Sequence, residues 1–308
     1  MVPAQAGRGP GDAVMSAQLE QQQAPPNATE MMRIAVGLTL TCLAAAIVLG
    51  FFFYLTEPAK VRNIQAREQA MIQTLLALTP AARIHEVRRY LHWKGQTLEV
   101  LYLTPRALVR VDEAGNPLDT REVPAEVAAE KSPDHKDAWV RQSAGAGENA
   151  NFNYAGRFFI GEQDGAVAGY VVEGSTPGYK TWIRYFLAID ARFGVQGLEV
   201  IEHEEDPGLG AEITQRYFKN QYAGRRFEQI DAIEVIKDPL PNDWRKRLEQ
   251  LGDMDLDSWV RENRAEIDAH PQIHAITGST ISSVAVTNGV KRSLRNFRKR
   301  MRIVEAYL

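Results

Sequence analysis

Three textures of apolar and polar positions follow one another along the chain. Residues 34–55 (IAVGLTLTCLAAAIVLGFFFYL) run for 22 positions without a charge or a proline, apolar around the whole circumference of a helix. At a rise of about 1.5 Å per residue this segment extends about 33 Å, enough to cross a bilayer. A secretory leader would have a shorter apolar stretch ending in small residues. Here the stretch ends in Phe51, Phe52, Phe53 and Tyr54, which predicts a retained single membrane span. Arg33 precedes it and Lys60, Arg62 and Arg67 follow it, a slight lean towards a cytoplasmic C-terminal part.

Beyond the span, Val61, Ile64, Met71, Ile72, Leu75 and Leu78 recur at helical spacing and predict that a helix continues through 59–79. From about residue 97 the period changes. TLEVLYL (97–103), ALVRV (107–111), RFFI (157–160), AVAGYVV (166–172), TWIRYFLAI (181–189) and VQGLEVI (195–201) read as strands. Turns at Gly115-Asn116-Pro117, Asp164-Gly165, Pro177-Gly178 and Phe193-Gly194 predict an antiparallel meander. Residues 120–150 are charged and rich in Ala and Gly without a period, and predict a surface excursion. Helices are expected around 214–221, 243–251 and 257–267. A final helix from about 282 carries Val290, Leu294, Phe297, Met301, Val304 and Leu308 on one stripe.

The fold class expected is α+β. It comprises a disordered tail over 1–30, a transmembrane helix over 31–57, a membrane-proximal helix and α+β subdomain over 58–150, and a domain with an antiparallel sheet and flanking helices over 151–308. The tail is rich in Gln, Ala, Pro and Gly, and Met31-Met32 offer an alternative start of translation.

Composition narrows the function. A net charge of −3, from 36 Lys and Arg against 39 Asp and Glu, gives no footprint for nucleic acid, and none is expected as a partner. The single cysteine, Cys42, rules out intramolecular disulfides, Cys-ligated iron–sulfur clusters and C-x-x-C-H haem attachment. An electron carrier would therefore have to be of another kind.

Two segments carry candidate chemistry. The first is His203-Glu204-Glu205-Asp206-Pro207-Gly208-Leu209-Gly210, directly after a strand. Proline followed by Gly-x-Gly forces a tight turn and lets backbone approach a ligand, although a charged surface turn has the same composition. Its carboxylates and histidine lack H-E-x-x-H or EF-hand spacing, so no metal is expected. The second is Ile273-His274-Ala275-Ile276-Thr277-Gly278-Ser279-Thr280-Ile281-Ser282-Ser283, a glycine turn crowded with hydroxyls ahead of the last helix. A helix N-terminus attracts phosphate, while Ser282 or Ser283 could equally serve as a helix cap. Lys291, Arg292, Arg295, Arg298, Lys299, Arg300 and Arg302 lie off the apolar stripe and read as a solvated face. His85, His92, His135 and His270 and the five tryptophans read as surface or packing residues.

Taken together, H-x-E-x-P-G-L-G followed about 70 residues later by T-G-x-T-x-S-S resembles the covalent FMN-binding domain family. Its members include RnfG, the flavoprotein of the Rnf ion-translocating complex, and NqrC, the corresponding component of the sodium-translocating NADH:quinone reductase. Gly169-Tyr170-Val171-Val172 and Pro177-Gly178-Tyr179 resemble that family's strand and turn, and Ser283 through Lys291 is closer to the Rnf member. The resemblance implies one N-terminal membrane helix in the bacterial inner membrane and a periplasmic FMN-binding domain over 151–308. It implies FMN joined through its phosphate to Thr280, in a motif where His274 stands for Asp and Ser279 for Ala; Asp206 replaces a Thr in the proline turn. The implied cofactor-binding residues are Thr280 with Thr277, Gly278, Ser279, Ile281, Ser282, His203, Glu205, Pro207, Gly208, Leu209, Gly210 and Tyr179. The implied role is electron transfer within a ferredoxin- and NAD-coupled complex rather than that of a stand-alone enzyme. The implied partners are the other components of that complex, membrane lipid and a flavin transferase. The alternatives are an NqrC-type component of the quinone reductase and a flavin-free membrane-tethered assembly module.

Overall fold

The computed structural model describes residues 27–130 and 132–308; the expected tail lies outside them up to residue 26. The chain divides into two compact units at Ala66/Arg67. Helix α1 spans Ala28–Leu75. Within the first unit its segment Ala28–Thr56 has a mean hydropathy of 2.4 and is long and apolar enough to cross a membrane. Leu38, Leu40, Ile47 and Phe52 on this segment are all exposed.

The second unit is built on one eight-stranded antiparallel sheet. Its strands are β1 (Arg83–Lys94), β2 (Thr97–Leu103), β3 (Ala107–Asp112), β4 (Pro117–Glu122), β5 (Asn151–Gln163), β6 (Ala166–Pro177), β7 (Trp182–Ile189) and β8 (Val195–Glu202). Their order is β4-β3-β2-β1-β5-β6-β7-β8, two four-stranded meanders joined where β1 pairs with β5. One sheet thus runs across residue 150, where the sequence suggested a boundary between subdomains.

The period of two along each strand sorts neighbouring residues to opposite faces. Phe158, Val172 and Leu187 join the core under the final helix α8 (Thr280–Val304), with Val290, Leu294 and Phe297. Phe159, Val171 and Phe186 instead pack on Ile72 and Leu76 from the end of α1. At its centre the sheet is covered on both faces, so the middle of β6 and most of β7 read as near-continuous apolar runs rather than clean alternations.

Residues 120–150 are not an excursion. They form β4, α2 (Ala125–Ala129) and α3 (Pro133–Ser143), and Val123, Val140, Ala144 and Ala146 are buried against Tyr90, Leu101 and Phe152. Only one or two apolar side chains per turn reach this small core, too few to leave a period. Strand β1 shows no apolar run, because Arg88 and His92 share its buried positions with Val87 and Tyr90. Several charges in and beside it are paired. Arg157 on β5 pairs with Glu68, with Glu86 at 3.2 Å and with Glu173 at 2.7 Å. Arg88 reaches Glu86 at 3.0 Å and Asp137 at 2.9 Å.

After β8 come α4 (Arg216–Lys219), α5 (Phe227–Ala232), β9 (Val235–Ile236), α6 (Asn242–Gln250), α7 (Leu256–Ala269) and β10 (Ile273–His274), which pairs in parallel with β9. Trp244 and Trp259 stack between α6 and α7, 5.9 Å apart, as core residues.

Candidate functional site

Three loops meet at the N-terminus of α8: the β6–β7 turn at 178–180, the proline turn after β8 at 203–210, and the glycine turn at 277–279. They enclose a cleft of about 450 Å³, lined by Tyr179, Glu205, Asp206, Leu209, Gly210, Gly278, Ser279, Thr280, Ile281 and Ser282.

Glu205 ties the proline turn to the β6–β7 turn and to the first turn of α8. Its side chain is buried. Oε1 accepts the backbone N–H of Tyr179 at 2.9 Å and of Lys180 at 3.2 Å, and Oε2 accepts the Ser282 hydroxyl of α8. Such charge-assisted bonds are among the stronger ones available to a buried carboxylate. The backbone N–H of Glu205 donates to His203 Nδ1 at 3.2 Å.

The glycines of the motif serve this packing. A Cβ on Gly210 would lie 2.6 Å from Glu205 Oε2 and 3.0 Å from Ser282 Oγ, and one on Gly178 would collide with Glu205 Oε1. Gly278 has φ +77°, a left-handed conformation costly for other residues, and a Cβ there would meet Leu209 at 2.9 Å.

Helix α8 starts at Thr280 with Ser279 as its N-cap, and Ser279 makes no side-chain cap bond. The expectation that Ser282 or Ser283 caps the helix is corrected. Ser282 is held by Glu205, while Ser283 accepts from the Ile276 N–H at 3.0 Å and donates to the Ser279 carbonyl at 2.9 Å. The start of the helix is pinned from below without its first-turn amides being covered by a side chain. Thr280 is half-buried, Thr277 is exposed, and Tyr179, Leu209 and Ile281 add exposed apolar surface to the rim.

Two acidic residues in the cleft bear on its electrostatics. Glu205 is engaged as described, and Asp206 pairs with Lys180 at 2.5 Å. That hydrogen bond raises the Lys180 ammonium above its ordinary range. Asp206 is thus neutralised by a cation, whereas Glu205 is satisfied by neutral donors, one of them in the first turn of α8, whose free amides form the other polar feature of the wall.

Of the residues expected from the sequence, Tyr179, Glu205, Leu209, Gly210, Gly278, Ser279, Thr280, Ile281 and Ser282 line the cleft, while His203, Pro207, Gly208 and Thr277 lie in the same loops but not in its wall. Asp206 and its partner Lys180 were not singled out as site residues; the signal available was their position inside and beside the two turn motifs. His274 does not reach the cleft. It is buried, its N–H donates to Gln221 Oε1 at 2.8 Å, and its ring packs edge-on to His270, 5.8 Å away. The basic residues of α8 are not simply a solvated face either: Arg295 pairs with Asp231, Lys291 donates to the Ile233 carbonyl, and Arg298 lies over Phe227.

The segment from the β6–β7 turn to the middle of α8 has known relatives. Residues 178–295 match the family described as FMN-binding domain. The match begins at the turn held by Glu205 and contains every wall of the cleft. Over 138 residues the chain is 30% identical to the G subunit of the Na(+)-translocating ferredoxin:NAD(+) oxidoreductase complex of Acetobacterium woodii, covering 44% of this chain and 53% of that one. It is 31% identical over 175 residues to the G subunit of the ion-translocating oxidoreductase complex of Pectobacterium atrosepticum, covering 56% and 66%. Among solved structures, NqrC of Shewanella oneidensis is similar at a TM-score of 0.43 and 15% identity, covering 79% of this chain and 99% of that one. The chain spans between about half and two thirds of the length of these curated relatives.

Proposed function

We propose that the chain is the flavoprotein component of a membrane-bound, ion-translocating electron transport complex of the Rnf type, carrying FMN as a phosphoester on Thr280. The observation that carries this is the position of Thr280 at the first residue of α8, in the wall of the cleft and inside the FMN-binding-domain match. The donor set suits the group. The first-turn amides and the dipole of α8 offset a phosphate, and Tyr179, Leu209 and Ile281 offer apolar surface to a flat ring. FMN would supply the redox chemistry; the chain supplies position and electrostatics. Glu205 holds the walls in register, Gly210 and Gly278 keep the backbone clear of Cβ clashes, and the Asp206–Lys180 pair balances charge at the rim.

On this reading the span Ala28–Thr56 is a single anchor in the bacterial inner membrane and the flavin domain faces the periplasm. The partners are the other components of the complex, membrane lipid, and a flavin transferase that modifies Thr280. The test is peptide mass mapping of the full chain co-expressed with a flavin transferase, beside fluorescence of the denatured chain in a gel. The expected result is an FMN adduct on the fragment containing Thr280, lost in Thr280→Val. An adduct on Thr277, or none in the native sequence, would overturn the assignment, and the latter would favour a flavin-free assembly module.

A further inference from the structure

A second cavity, of about 340 Å³, lies between β5, β6, β7 and the later turns of α8. Its wall includes Gly156, Ser175, Arg184, Arg292, Asn296 and Arg300. Arg292 is 12 residues beyond Thr280, about 18 Å along the helix, so this cavity is separate from the cleft.

Arg292, Asn296 and Arg300 are spaced i, i+4 and i+8, which puts them on one face of α8. The charges around them do not cancel. Arg184 is neutralised by Glu173 and Glu202, each at 2.5 Å, and the other oxygen of Glu173 belongs to Arg157. Arg292 has only a backbone carbonyl, that of Ser175 at 3.1 Å. Arg300 forms no ion pair and no hydrogen bond among the described residues; its electrostatic neighbours are Arg89 and the Tyr102 hydroxyl. Behind it the Arg89 Nε is buried without a partner. Burial, reinforced by Arg89, pushes the Arg300 guanidinium down to about 10.

The sheet itself makes room here. In the β1–β5 pairing Arg88 faces Arg157 and Tyr90 faces Tyr154, so Arg89 alone opposes Ala155 and Gly156. This is a bulge on β5, with Gly156 at φ +104° in the cavity wall. Bulges bend a strand and re-aim its neighbours, and are common beside functional sites. Arg300, half-buried without an anionic partner, and Arg292, exposed at the rim, leave this wall of the cavity with an excess of positive charge that a bound anion would offset.

We propose that this cavity binds a phosphate group, held by Arg292 and Arg300 with Asn296 as a further donor. The guanidinium fork matches the oxygens of a phosphate in a way that an ammonium would not. The group could belong to a soluble phosphate or to a phospholipid headgroup, and the inference stands independently of the flavin reading.

The test uses the full chain in neutral detergent and follows thermal unfolding. The first probe is inorganic phosphate against chloride at equal ionic strength. The second is dihexanoyl phosphatidylglycerol below its micelle concentration, against dihexanoyl phosphatidylcholine. We expect a saturable rise in Tm with at least one anionic probe. The half-saturation concentration should rise at least tenfold in Arg292→Gln/Arg300→Gln and stay unchanged in Lys246→Gln, an exposed position on α6. A response to both probes assigns a soluble phosphate, and a response to the phosphatidylglycerol alone assigns a headgroup. Arg300→Met keeps the aliphatic stem, removes the cation and gives the same reading should the double variant not fold. No rise above the controls in the native chain overturns the proposal. So does an equal rise in the variants, which would move binding to the start of α8 or elsewhere.

Discussion

Glu205 makes the clearest residue-scale prediction because three polar groups depend on it. Glu205→Ala leaves the N–H groups of Tyr179 and Lys180 and the Ser282 hydroxyl without their acceptor. An unsatisfied buried polar group costs about 1–3 kcal/mol. Water entering the vacated space recovers part of that, so a loss of about 2 kcal/mol is expected, seen as a lower Tm of the full chain. Glu205→Gln keeps an acceptor for both amides and should cost less than half as much. Equal losses in the two variants would mean that the hydrogen bonds to Tyr179 and Lys180 are not what Glu205 contributes. Gly210→Val, which would drive a side chain into Glu205 and Ser282, should lower flavin occupancy in an absorbance measurement while leaving the chain in the membrane fraction. The turn around Gly210 was legible in the sequence because Pro and Gly punctuate it locally. That a carboxylate three positions earlier than Gly208 would join the β6–β7 turn to the start of α8 was not, because its partners lie 25, 26 and 77 residues away.

At the scale of elements, the Arg157 cluster joins the end of α1 to β1, β5 and β6. Burial alone would raise the Glu86 and Glu173 carboxyls, but the neighbouring arginines, with Lys136 beside Glu86, win and hold both below the ordinary range. Glu68 goes the other way, raised chiefly by burial and by the two other carboxylates. A depressed carboxylate contributes stability above its unfolded pKa and loses it as pH falls through the folded value; a raised one has the opposite sign. The Glu68 contribution changes mainly above its ordinary value of 4.5, so below about pH 4.5 the two depressed carboxyls set the sign and stability falls on acidification. Arg157→Met should flatten that acid limb and cost about 3 kcal/mol at neutral pH, because it leaves buried carboxylates without their cation. Tm against pH for the two chains checks this, and superimposable profiles would sink it. The strands β2, β3 and β5–β8 were legible as apolar runs between turn residues. Strand β1 was not, because Arg88, Arg89 and His92 interrupt it, and the partners that hold the buried Arg88, Glu86 two positions earlier and Asp137 on α3, follow no local pattern. The same holds on α8, where the spacing of Arg292, Asn296 and Arg300 is plain in the sequence but the strand face opposite them is not.

For the whole molecule, the orientation proposed for the flavin domain runs against the slight excess of Lys60, Arg62 and Arg67 over Arg33. Long domains cross membranes largely regardless of such a count. Protease added to intact spheroplasts should digest the chain beyond the span, and full protection would place the domain in the cytoplasm. The position of α8 has a consequence for timing. The wall it contributes begins 70 residues after Gly210. The same helix that seats Val290, Leu294 and Phe297 under the sheet also brings its first turn to the two earlier loops. Farther along, the Thr104 hydroxyl donates to the Tyr307 carbonyl at 3.0 Å, fastening the end of this region to the first meander. A nascent chain stalled before residue 280 would display the proline turn but no cleft, and a chain with a badly packed second core would display the threonine but no walls. On the flavin reading, a loaded Thr280 would therefore report that the chain has been assembled through α8.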